Sequence, residues 1–196
     1  MVAITSLCVF CGSSTPEDPR YRETARALGT LVATRGIGLV YGGGRTGLMG
    51  ELADAALLAG GRVTGVIPTG LFSREIPHTG LTQMHEVGTM HARKQLMYDL
   101  ADGFIALPGG LGTLDELAEV TTWSQLGLHA KPVVLLDVDG FWDPLAAQLD
   151  RMVGAGLLKP ANRALIQRAA SPEDAMSALA AARPAHQEKW ITPGDR

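Results

Sequence analysis

The chain has 196 residues and 20.7 kDa, with 17 Lys and Arg against 20 Asp and Glu, a formal net charge of −3. It is 46% hydrophobic and 19% charged, which suits one domain with its own core and excludes disorder over most of the length. The weakly acidic balance argues against nonspecific nucleic-acid binding, which needs a basic footprint, and no apolar run reaches the roughly 18 residues of a membrane helix.

The first apolar run, Ile4 to Phe10, reads as a strand and lacks a basic leader or a small-residue cleavage site, so a cytoplasmic location is expected. Cys8 and Cys11 straddle its end and point to opposite faces, which reads as two small buried thiols and not a redox or metal pair. Helical patterning over 18–35 leads to a strand at 37–41, a helix at 47–60 and a strand at 62–66. A weaker strand at 82–87 precedes a helix at 89–101, a strand at 103–107, a helix at 113–127, a strand at 132–136 and a helix at 141–154. A last helix starts after Ser171, which supplies an N-cap ahead of Pro172, Glu173 and Asp174. Most strand runs are continuously apolar, such as Phe104–Leu107 and Val133–Leu136, as in parallel strands covered on both faces. The alternation predicts a three-layer α/β/α domain, a Rossmann-like doubly wound parallel sheet over 1–182, followed by a loose tail over 183–196.

Ligands in such sheets sit beyond the carboxyl ends of the strands. Glycine, 24 residues of the chain, clusters there: Gly12, Gly42 to Gly44, and Gly109, Gly110 and Gly112. Pro108-Gly-Gly-Leu-Gly-Thr-Leu-Asp-Glu116 runs from a strand into a helix, where backbone N–H groups and the helix dipole hold phosphate. The plainer reading is a turn followed by a Thr113-x-x-Glu116 capping box; three glycines in four positions favour phosphate. Gly42-Gly-Gly-Arg-Thr-Gly47 matches G-x-G-x-x-G but follows the second strand, and the position about 20 residues on is Arg62, not an acid. It reads as a second close-approach loop for a nucleotide, through Gly43 and Gly44, or as a strand–helix turn. Met90-His-Ala-Arg-Lys94 places two cations at a helix start. The sequence has no P-loop, no G-x-S-x-G elbow and no H-E-x-x-H spacing, and it implies no metal or cofactor.

Together, Gly42–Gly50, Met90–Lys94 and Pro108–Glu116 resemble the LONELY GUY family of cytokinin riboside 5′-monophosphate phosphoribohydrolases, often labelled lysine decarboxylase-like. The likeness spans roughly residues 4–160 and takes in Cys11–Ser14, Arg74-Glu75-Ile76 and Thr122–Gly127. It implies hydrolysis of the N-glycosidic bond of adenine-type nucleoside 5′-monophosphates, N6-prenylated AMP included, to free base and ribose 5-phosphate. Substrate contacts carry over to Glu75, Arg93, Lys94, Gly110, Leu111, Gly112, Thr113, Leu114, Asp115, Glu116 and Thr122, with Gly109 completing the loop. Catalysis is implied at Arg93 and Glu116. A homodimer through the helix after the P-G-G-x-G-T segment is also implied, with Trp123 and Leu126 serving the contact or the core. Leu111 stands where many relatives carry tyrosine. A carboxylate suits an oxocarbenium-like sugar, while a guanidinium keeps its proton and acts as a clamp. Two rival readings are a nucleotide-sensing module, which would not need both Arg93 and Glu116, and a lysine decarboxylase, which needs a Schiff-base lysine for pyridoxal phosphate.

Overall fold

The computed structural model describes residues 4–71 and 76–182. Seven strands, β1 (Ser6–Phe10), β2 (Gly38–Tyr41), β3 (Val63–Pro68), β4 (Gln83–Val87), β5 (Gly103–Ala106), β6 (Val133–Leu136) and β7 (Ile166–Ala169), form one sheet. Its order is β4-β3-β2-β1-β5-β6-β7, and every pairing is parallel. The helices are α1 (Pro19–Thr34), α2 (Gly47–Leu58), α3 (Met90–Asp99), α4 (Leu111–Gln125), α5 (Asp143–Gly154), α6 (Pro160–Arg163) and α7 (Pro172–Ala181). The doubly wound α/β/α class expected from the alternation is therefore the architecture observed.

Period-two alternation along each strand sorts the core into two layers. Leu7, Val9 and Cys11 of β1 and its end pack with Leu28 of α1, Leu52 of α2 and Met176 of α7. Cys8 and Phe10 pack on the other side with Met97 of α3, Leu117 of α4 and Trp142. The two thiols thus lie on opposite faces, and burial, followed by the nearby Glu116 carboxylate, pushes the Cys8 thiol well above its usual range.

Ser171 caps α7 as its sequence predicts, its hydroxyl accepting from Asp174 N at 3.1 Å. Two elements were not expected, α6 and the edge strand β7. Ile166-Gln-Arg-Ala169 is short and half polar because only one neighbour, β6, covers its edge. The expected tail, 183–196, lies outside the described residues.

Candidate active site

Strand β1 is flanked by β2 and β5, so successive connections leave it in opposite directions and open a crevice at its carboxyl end. The chain leaves β1 toward α1 on one face and leaves β5 toward α4 on the other. The two loops touch: Gly12 N donates to the Pro108 carbonyl at 3.2 Å. A Cβ on Gly109 would strike the Thr113 hydroxyl and lie 2.9 Å from Gly12 N, so this approach requires glycine. Between the loops lies a cavity of about 550 Å³.

One wall is the start of α4. The helix begins at Leu111 with Gly110 as N-cap, and no side chain caps it. This corrects the capping-box alternative, because Thr113 is already inside the first turn and Glu116 lies in the second. Thr113 is buried beneath Gly109, while a Cβ on Gly110 or Gly112 would meet nothing within 4 Å. Backbone N–H groups at an uncapped helix start, with the positive end of the dipole behind them, form an anion cradle. Leu111 stands 85% exposed at its rim.

Arg93, from α3, is buried at 6% exposure and enters the cavity from below. Its Nη2 donates to the Gly42 carbonyl at 2.7 Å. A Cβ on Gly42 would collide with that same nitrogen, so this glycine makes room for the guanidinium. Half-buried Glu116 lines the same cavity. Both charges act on the Cys8 thiol beneath the cavity floor, the carboxylate raising its pKa and the guanidinium lowering it, with burial the leading cause. A carboxylate and a guanidinium thus line one cavity beside an anion cradle.

The remaining candidates are distributed differently. Lys94 does not line the cavity; its Nζ meets Asp115 at 3.0 Å and Glu119 at 3.1 Å. Burial pulls its pKa down, and the two carboxylates outweigh that and hold it protonated. Asp115 lines the cavity, whereas Leu114 and Thr122 lie on the exposed side of α4. Gly43 and Gly44 turn toward the 76–78 segment: Gly43 O accepts from His78 N at 2.9 Å, and Gly44 bridges Pro77. Of the expected second nucleotide loop, only Gly42 reaches the cavity. Glu75 falls outside the described residues. Trp123 packs edge to face on Tyr98 at 5.1 Å, while Leu126 is 38% exposed. Sequence reasoning missed Glu119, Tyr21, Phe141 and the lining methionines Met49 and Met97. Phe141 had a readable signal, since it follows a strand at the end of the sheet that carries the loops.

The described lysines do not fit a pyridoxal-phosphate site. None lines the cavity; Lys94 is held as above, and Lys131 donates to the Tyr98 carbonyl at 2.7 Å and sits over its ring. Among the described residues no group of three or more His, Cys, Asp or Glu is placed to hold a metal ion.

Residues 49–179 match the family model described as "Possible lysine decarboxylase". The chain is 50% identical over 159 residues, 81% of its length and 70% of the relative's, to a protein of Oryza sativa subsp. japonica named "Probable cytokinin riboside 5′-monophosphate phosphoribohydrolase". It is 45% identical over 175 residues, 89% of its length and 88% of the relative's, to the cytokinin riboside 5′-monophosphate phosphoribohydrolase of Rhodococcoides fascians. Among solved structures, the molybdenum cofactor binding protein of the phototrophic bacterium Rippkaea orientalis is similar at 26% identity and a TM-score of 0.68, over 90% of this chain and 96% of that one. With the P-G-G-x-G-T-x-x-E loop, Arg93 and Glu116 gathered at one crevice, the chain belongs to the family of the cytokinin riboside 5′-monophosphate phosphoribohydrolases.

Proposed function

We propose that this chain hydrolyses the N-glycosidic bond of adenine-type nucleoside 5′-monophosphates, N6-prenylated AMP and AMP among them, to free base and ribose 5-phosphate. The observation that carries the reading is the meeting of Arg93 and Glu116 in one cavity with the uncapped start of α4. The 5′-phosphate sits on the Gly110–Thr113 backbone and holds the sugar so that its anomeric carbon faces the acidic corner. Glu116 stabilises the oxocarbenium-like sugar or orients the attacking water. Arg93, braced on the Gly42 carbonyl, directs positive charge at the phosphate or the departing base. Lys94 acts at one remove, by fixing Asp115 and Glu119 and through them the pose of α4.

Glu116→Gln is expected to retain nucleotide binding and to lose release of adenine from AMP by about 10²–10³-fold, measured by chromatography of the free base. Near-normal turnover by that variant sinks the assignment. Nucleotide binding by the unaltered chain without base release would instead favour a sensing or carrier role, as the likeness to a cofactor-binding protein suggests. A homodimer formed through α4 is part of the same reading, supported by exposed Leu114, Leu126 and Leu128 on and just after that helix. Light scattering should then give twice the 20.7 kDa chain mass, and a monomer would refute it.

A further inference from the structure

The cavity lining includes two aromatic side chains to which the proposed chemistry gives no role. Arg93 and Glu116 stand on the α3 and α4 face of the sheet. The same cavity is walled by Tyr21 of α1 and by Phe141 of the loop before α5, whose rings meet edge to face at 6.0 Å and 79°. Pro16 borders this lobe.

The aromatic wall is held in place by polar anchors. Asp137 accepts from Gly140 N at 2.9 Å and Trp142 N at 2.9 Å, on either side of Phe141, and from Arg168 Nη2 at 2.7 Å. Arg20, beside Tyr21, pairs with Asp139 at 3.0 Å. Asp139 adopts φ of 53°, a conformation that side chains disfavour, and Gly140 follows at 77°. Trp142 fills the core at 2% exposure, yet its neighbour Phe141 remains 37% exposed at the cavity. A loop fixed this firmly holds the Phe141 ring edge to face on Trp142 at 4.9 Å and 88°, with the rest of that ring left to line the cavity.

We infer that this lobe takes a second aromatic ring, carried on the far side of the phosphate. The ligand class is two nucleosides joined through a pyrophosphate, bound end to end across the cradle and competing with the monophosphate. Dinucleotides cross the strand-order reversal of doubly wound sheets in this way, and a base stacks on an aromatic side chain whatever its identity. The inference rests on the proposed function only for placing the phosphate at Gly110–Thr113.

The probe is diadenosine 5′,5′-diphosphate, titrated calorimetrically into the full chain beside ADP, which keeps two phosphates, the second of them terminal and more highly charged, and lacks the second nucleoside. Diadenosine diphosphate should bind about tenfold more tightly than ADP and inhibit AMP hydrolysis competitively. Phe141→Ala and Phe141→Leu should each remove most of that tenfold while weakening ADP by less than about twofold; an unchanged far-ultraviolet circular dichroism spectrum and melting temperature report an intact fold. Equal affinity for the two probes overturns the inference, as does equal weakening of both by the Phe141 variants. Absence of AMP hydrolysis would remove the enzymatic reading and leave the comparison of the two affinities standing as its own test.

Discussion

Gly42 and Arg93 constrain each other although 51 residues separate them in the chain. The guanidinium needs the Gly42 carbonyl as a brace and the absence of a Cβ as space. Gly42→Ala should therefore displace Arg93 with the sheet left intact, and a displacement near 1 Å at a reacting group costs on the order of 10²-fold. The check is kcat/KM for AMP beside an unchanged far-ultraviolet circular dichroism spectrum. In the sequence this glycine reads as part of a nucleotide loop, and its true neighbour is invisible because α3 reaches it only through the tertiary fold. Arg93 and Glu116 were legible as motif members. That Lys94, next in sequence to Arg93, turns to Asp115 and Glu119 was not, because one step of about 100° along a helix decides it.

At the scale of elements, the β6–α5 loop is tied at several points through Asp137. Burial works against the Asp137 charge, while Arg168 and the Trp142 and Gly140 N–H groups outweigh it and hold the carboxyl below its usual range. A carboxylate whose folded pKa is depressed stabilises the protein above its unfolded pKa of about 3.9, and that contribution fades as pH falls toward the folded value. Asp137→Asn should thus cost about 1–3 kcal/mol near neutrality, with the gap from the unaltered chain closing below about pH 4. Urea midpoints measured at both pH values check this, and a pH-independent gap would contradict it. Element existence was largely legible, since apolar runs and caps are local signals; the start of α4 was not. Thr113 and Glu116 imitate a capping box, yet the helix extends two residues further back because Gly110 accepts the cap position without a side chain. That difference is what leaves the first-turn N–H groups for a ligand.

For the whole molecule, the crevice is a property of the seam between β1 and β5. Nucleotide at 100 times its dissociation constant should raise stability by about 2.7 kcal/mol, visible as a higher melting temperature. Glu116→Gln is the variant in which to measure it, because bound AMP would then persist. The doubly wound class and the sheet end carrying the loops were legible from the order of strands and helices, while the neighbours of β1 are set by register and had to be seen. Leu7 pairs with Gly103 and Val9 with Ile105, partners that lie far apart in the chain. Such pairings are slow to form, since the entropy of closing a long loop is lost before any contact repays it. The crevice consequently has no local precursor on the folding path. Until Leu7 has found Gly103, cradle, carboxylate and guanidinium are distant points on an open chain, and a ligand that needs all three selects only finished molecules.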